Sequence, residues 1–260
     1  FKNSNINNII NNKNIKINIC GDRDCSEVTK TREPDSPQPD QKPPDQLHID
    51  LGEAPEIFNF YGRTNELATL KQWIINDGDN RRISTTRVAA ILGISGIGKT
   101  TLAMRLIDTI KTQFNYVIYR SLRFSPTLET TLTNLLQIFS ESSEINSPDT
   151  EPQINQLFNQ LRQHRILIIL DDVQAVFSSG KLAGQYKPGY EDYQLFFHQI
   201  TEVNHNSCLI LISSEKPREI AELEKLNLPL RSLVLGSLGV AAKDVLTSHQ
   251  LLDEEAWEPL

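Results

Sequence analysis

Eight residues, Gly93-Ile94-Ser95-Gly96-Ile97-Gly98-Lys99-Thr100, constrain the fold more than any other part of this 260-residue chain. They follow an apolar run, Val88–Leu92, and precede a stretch of good helix formers, Thr101-Leu-Ala-Met-Arg-Leu-Ile107. A buried strand, a glycine-punctuated turn and a helix are therefore expected in direct succession. Glycines at 93, 96 and 98 permit backbone angles closed to other residues and let a ligand approach the main chain closely. A loop of that kind, opening a helix, presents a row of backbone N–H groups and the positive end of the helix dipole. Such a surface suits phosphate oxygens. The full G-x-x-x-x-G-K-T pattern adds a cation, Lys99, for the β- and γ-phosphates and a hydroxyl, Thr100, for Mg²⁺. Residues Gly93 to Thr101 are thus the expected cradle of a nucleoside triphosphate.

The remainder of the ordered region has the alternation such a strand–loop–helix unit requires. Short apolar runs recur at Val88–Leu92, Tyr116–Tyr119, Ile166–Leu170, Cys208–Ile212 and Leu233–Leu235. They are continuously apolar, as expected for strands buried on both faces of a parallel sheet. Helical stretches lie between them at Lys99–Thr112, Thr127–Phe139, Glu151–His164, Tyr190–Val203 and Pro217–Leu226. The expected architecture is α/β: a mainly parallel, five-stranded sheet with helices on both faces, in three layers. A further helix, Glu66–Ile75, has Leu67, Leu70, Trp73 and Ile74 at helical spacing, with Asn65 placed to cap it and Asp77-Gly-Asp-Asn80 to end it.

A second chemical motif lies downstream. The run Ile166-Leu-Ile-Ile-Leu170 ends in Asp171-Asp172, and open α/β sheets bind ligands at the carboxyl ends of their strands. Asp171 is placed to hold the Mg²⁺ shell and Asp172 to orient or polarise an attacking water. Lys99 and Asp172 are accordingly the catalytic candidates, and Thr100 and Asp171 the metal candidates. A third apolar run, Cys208-Leu-Ile-Leu-Ile212, ends in Ser213-Ser214. These hydroxyls either hydrogen-bond a γ-phosphate or cap the helix that starts near Pro217. The segment Phe60-Tyr61-Gly62-Arg63-x-x-Glu66-Leu67 reads from its residues alone as a turn entering a capped helix.

Three domains are expected: an Asn-rich tail or short strand segment over 1–30, a Pro-rich linker over 31–50 and the nucleotide-binding domain over 51–260. The tail alternates Ile15, Ile17 and Ile19 with polar residues, a pattern shared by strand-prone and disordered segments. The linker carries Pro34, Pro37, Pro39, Pro43 and Pro44 among polar residues and offers nothing for a core. Cys20, Cys25 and Cys208 are expected to be free thiols of a reducing cytoplasm, because the first two match no common zinc spacing. A net charge of −7 argues against a nucleic-acid or anionic-membrane surface, and no apolar run approaches the roughly 20 residues of a membrane span. The first residue is Phe1, so a fragment of a longer chain is expected.

Together these segments resemble the NB-ARC family of STAND NTPases, the signalling ATPases of plant resistance proteins and apoptotic scaffolds. The resemblance runs from about Gly52 to Leu260. Its carriers are Tyr61-Gly62-Arg63-x-x-Glu66-Leu67, the P-loop with Thr101-Leu102-Ala, Leu170-Asp-Asp-Val173, Ser207–Pro217 and Arg231–Leu238. Gly52-Glu-Ala-Pro55 and Gly184–Tyr190 look most like cyanobacterial members that carry WD40 or similar repeats. The resemblance implies that Tyr61, Gly62 and Arg63 pack against adenine and that ATP, ADP and Mg²⁺ are the ligands. It also implies a switch between an ADP-bound closed state and an ATP-bound open state that oligomerises, with effector and repeat domains in the same polypeptide. Slow hydrolysis would reset it.

Two departures stand out. Where the family's sensor strand ends in an arginine that reaches the γ-phosphate, this chain has Ser214; Arg218 or an arginine in trans are the substitutes on offer. The helical and winged-helix modules that follow in the family are expected to lie outside these 260 residues. A nucleotide-binding scaffold with little or no hydrolysis is therefore the alternative to a switch ATPase. A third class, another P-loop enzyme such as a kinase or transporter ATPase, finds neither a transporter signature nor an acceptor-substrate lid.

Overall fold

The computed structural model describes residues 47–57, 59–75, 86–139, 149–180 and 184–238. The tail over 1–30, Cys20 and Cys25, the proline-rich segment, the Asp77–Asn80 turn and the residues from 239 onward lie outside the described residues. The elements run in the order β1 (His48–Asp50), α1 (Thr64–Ile75), β2 (Val88–Leu92), α2 (Lys99–Ile110), β3 (Tyr116–Ser121), α3 (Leu128–Leu136), α4 (Thr150–Gln163), β4 (Ile166–Asp171), α5 (Asp192–Glu202), β5 (Cys208–Ser213), α6 (Arg218–Leu223) and β6 (Leu230–Val234).

The strands form one sheet in the order β1-β3-β4-β5-β2-β6, and every neighbouring pair is parallel. All residues of β2, β4 and β5 are buried, which explains why these strands read as unbroken apolar runs. Their side chains alternate between two cores. Val88, Ala90, Leu92, Ile166, Ile168 and Leu170 pack with α3 to α6. Ala89, Ile91, Leu167, Ile169, Ile210 and Ile212 pack with Leu70 and Ile74 of α1 and Leu102, Leu106 and Ile110 of α2. This is the expected three-layer arrangement, with helices on both faces of a parallel sheet.

The sheet has six strands rather than the expected five. The additional strand is β1, which lies before Leu51 and pairs with β3 through His48↔Tyr116 to Asp50↔Ile118. It is only three residues long, and two of them are exposed, so it carries no apolar run to betray it. Side chains hold it instead. The His48 ring stacks on Tyr116 at 5.0 Å, and Arg120 Nη2 donates to Asp50 Oδ2 at 2.7 Å. That hydrogen bond outweighs the cost of partial burial and keeps the Asp50 carboxyl below its ordinary range. The last strand is displaced from the expected Leu233–Leu235 toward its N-terminal side, to Leu230–Val234. Helix α1 begins at Thr64, so Asn65 sits inside its first turn instead of capping it.

The strand order positions the chemistry. Strand β5 lies between β2, which leads into the phosphate loop, and β4, which ends at Asp171. Leu92 is in register with Ser213. The carboxyl end of β5 therefore faces the same opening as the glycine-rich loop and the acid pair.

Candidate functional site

The loop from Gly93 to Gly98 leaves β2 and enters α2 with positive φ at Gly93, Gly96 and Gly98, at 150°, 78° and 97°. Gly98 is the N-cap of α2 and has no side chain to close the helix end. The first-turn N–H groups of α2 are therefore left to a ligand or solvent. A Cβ added at Gly96 or Gly98 would meet nothing within 4 Å, and open space beside a glycine loop lets a phosphate group approach the main chain. Gly93 differs, because its Cβ would press on Ile97 Cγ2 and Leu235 O at 3.1 Å. Lys99 Nζ donates to the carbonyls of Gly93 at 2.8 Å and Ile94 at 3.0 Å, curling the loop around its ammonium. Burial pulls the Lys99 pKa down, and the Asp171 and Asp172 carboxylates oppose it.

Thr100, in the first turn of α2, meets Asp171 at the end of β4. Its Oγ1 donates to Asp171 Oδ2 at 2.6 Å. A hydroxyl and a carboxylate in contact supply hard oxygen ligands, the donor chemistry that suits Mg²⁺. Asp171 is buried and is held on both oxygens. Asp172 N donates to Oδ1 at 2.6 Å, and Tyr119 Oη donates to Oδ2 at 2.8 Å. Burial, and then the Asp171 charge, push the Tyr119 pKa far up, so the phenol stays a donor. Sequence reasoning missed Tyr119. Its register partner is Ile169, two residues before Asp171, which puts all three on one face of the sheet. Only the strand pairing reveals that.

Asp172 has a left-handed backbone at φ 56°. The type of residue fits, since Asp tolerates that region better than most. Its Oδ2 accepts from Ser121 Oγ at 3.3 Å, and its Oδ1 accepts from the Gln174 amide at 2.9 Å. The other end of that amide, Gln174 Oε1, accepts from Ser214 N at 3.0 Å. Gln174 was not expected to take part. Neither Ser213 nor Ser214 is the N-cap of α6; that position is Pro217. Ser213 is buried, and its Oγ accepts from Glu215 N at 3.2 Å. Arg218 pairs with Glu222 on α6 at 3.0 Å.

On the other side of the loop, Tyr61 and Arg63 line a hollow of about 180 Å³ with Phe60, Gly96, Ile97 and Thr101. The structure thus brings the pre-helix segment against the phosphate loop. The Arg63 side chain is nearly buried and engaged with protein: Nη1 pairs with Glu66 at 2.9 Å, and Nη2 donates to Ile97 O at 3.3 Å and Gly236 O at 2.6 Å. Arg63 itself has a left-handed backbone at φ 58°. It ties the phosphate loop to the segment leaving β6.

A parallel sheet with this loop, this acid-ended strand and a third strand between them defines a P-loop nucleotide-binding core. The NB-ARC domain family model matches residues 63–182, and over that segment the chain is similar to the NB-ARC family. It is 40% identical over 200 residues to an uncharacterized WD repeat-containing protein of Nostoc sp., across 74% of this chain and 15% of that protein. It is 30% identical over 116 residues to the disease resistance protein RPS4 of Arabidopsis thaliana, across 44% of this chain and 9% of that one. The chain thus spans a small fraction of either relative. Among solved structures, the Aeropyrum pernix ORC1 protein, determined in complex with DNA, superposes with a TM-score of 0.51 at 15% identity, across 76% of this chain and 50% of that one. That likeness concerns the fold. Among the described residues, no helix is long and apolar enough to cross a membrane.

Proposed function

We propose that the chain is the nucleotide-binding module of a signal-transduction ATPase, binding ATP or ADP with Mg²⁺ and hydrolysing ATP slowly to reset its state. One observation carries this reading: Thr100 and Asp171, from separate elements, meet at 2.6 Å beside a glycine loop with open space at Gly96 and Gly98. The α2 amide groups and the Lys99 ammonium would bind the phosphates. Thr100 and Asp171 would hold Mg²⁺, which when bound neutralises charge on the phosphate oxygens. Asp172 would orient the attacking water. Tyr61, Gly62 and Arg63 would form the adenine side of the hollow, the Arg63 side chain acting by fixing the loop. The switch would act by population shift, ATP and ADP favouring different conformations.

The WD repeat-containing Nostoc relative supports repeat domains in the same polypeptide, and an effector domain beside them is part of the same proposal. Nucleotide-dependent self-association and a cytoplasmic location belong to the same proposal. A second reading has its own observation. Ser214 occupies the place where the family resemblance puts an arginine, and it offers the site no cation. A scaffold that binds nucleotide and scarcely turns it over follows from that.

Phosphate release by the purified chain, compared with Lys99→Ala, tests the proposal. Release that drops about a hundredfold in the variant supports the switch ATPase. No release, with nucleotide retained through purification, supports the scaffold. No bound nucleotide and no release contradict both.

A further inference from the structure

The side chain of Gln174 joins the carboxyl end of β5 to the acid pair of β4. Gln174 is half-buried in the short 3-10 turn Val173–Val176 that follows Asp172. Its Nε2 donates to Asp172 Oδ1 at 2.9 Å, and its Oε1 accepts from Ser214 N at 3.0 Å. The amide has one orientation here, because a carboxylate only accepts and a backbone N–H only donates. Turned over, it would oppose oxygen to oxygen and N–H to N–H.

Glutamine is the residue this link requires. Glutamate would set a second negative charge against Asp172. Asparagine is one methylene shorter. Methionine has similar length but can supply neither bond. Asp172 is fixed from the opposite side by Ser121 at 3.3 Å, so its carboxylate is held between two neutral donors. Ser214, which follows the last residue of β5, presents no positive charge with which to register a terminal phosphate. Its backbone N–H is instead bound to the amide that also holds Asp172.

We propose that Gln174 is a positioning residue that couples Asp172 to β5, so that the presence of a γ-phosphate beside Asp172 is passed to the sensor strand through a neutral amide. This rests on the nucleotide-binding reading above. When a γ-phosphate and its attacking water draw on Asp172, the amide must follow the carboxylate or release it, and Ser214 N–H moves or loses its acceptor accordingly. A diphosphate leaves both bonds in place. The link therefore contributes to telling the two nucleotides apart, and it aims Asp172 in the hydrolytic step.

The test uses the full chain with Mg²⁺. Dissociation constants are measured for ADP and for the non-hydrolysable β,γ-imido analogue of ATP, in wild type, Gln174→Met and Gln174→Ala. Single-turnover phosphate release from ATP is measured alongside. In both variants the ratio of the two dissociation constants is expected to change by about fivefold or more, the lower range of ordinary coupling. ADP affinity should stay within about twofold, since no diphosphate contact is assigned to Gln174. Release at saturating ATP should slow by about tenfold. A role confined to stability would lower the melting temperature and leave the ratio alone. Wild type that binds ADP, with variants that keep both the ratio and the release rate, would overturn the coupling and spare the nucleotide-binding reading. Wild type that binds neither nucleotide would overturn both.

Discussion

The two halves of the site are built by different means. The phosphate-loop half is made from backbone. Three glycines with positive φ shape it, an uncapped helix end supplies its donors, and its lysine holds the loop's own carbonyls five and six residues away. The half around the carboxyl end of β5 is made from side chains that reach across the fold. Gln174 spans from Asp172 to Ser214. The buried Glu219 of α6 accepts from Tyr186, and Glu215 accepts from Gly184 N at 3.3 Å. A Cβ at Gly184 would lie 2.2 Å from Lys216 O, so the loop before α5 sits directly on the segment after β5. The first half is local, built within one continuous segment from β2 to α2. The second depends on individual long-range bonds, so single substitutions and pH should act on it separately from phosphate binding.

The largest separable effect should come from Glu219. Burial raises its carboxyl pKa to about 7, against the Tyr186 hydrogen bond that lowers it; Glu222 adds to the rise and His198 opposes it. The folded value lies above the unfolded one, so the native state holds the extra proton between pH 4.5 and 7. Stability should therefore be lost as pH rises through that window and level off above it. Glu219→Gln keeps an acceptor for Tyr186 and removes the charge. Chemical denaturation should find the variant more stable than wild type by roughly 2–3 kcal/mol at pH 8 and little different at pH 4.5. A pH-independent difference would break the contrast between the two halves.

Next comes the missing cation. Ser214→Arg should raise the phosphate-release rate at saturating ATP by about tenfold, well below the largest effects of such arginines, while leaving ADP affinity nearly unchanged. An unchanged rate would show that something else limits turnover. The smallest effect is expected at Tyr119. Removing its hydroxyl in Tyr119→Phe takes one donor from Asp171, and should weaken Mg²⁺ dependence of nucleotide binding about fivefold, roughly 1 kcal/mol. A Mg²⁺ titration at fixed nucleotide reads it.

The same contrast governs what was legible in the sequence. The phosphate loop, its strand and its helix lie within one continuous segment, so spacing and residue type reveal them together. Asp171 and Asp172 were legible because they end a buried apolar strand, at the edge where open parallel sheets bind their ligands. Tyr119 and Gln174 were not, since each becomes relevant only through neighbours far along the chain. Tyr119 lies 52 residues from Asp171, and Gln174 lies 40 from Ser214. Strand β1 was missed for a related reason. It is short, half-polar and held by Tyr116 and Arg120 of β3, and periodicity within three residues carries no signal. The Tyr61–Arg63 segment was placed beside the nucleotide by resemblance alone; what the structure adds is that its left-handed Arg63, bonded to Ile97 and Gly236, ties the segment to the phosphate loop.

Gly93 to Thr100, with Asp171, are proposed to form a site for a magnesium-bound adenine nucleotide. Equilibrium titration of the full chain with ADP and ATP, with and without Mg²⁺, tests it most directly. Saturable binding at one site, strengthened by Mg²⁺ and lost in Lys99→Ala, is the predicted result. Wild-type protein that is folded, free of carried-over nucleotide and unresponsive to either ligand would contradict it.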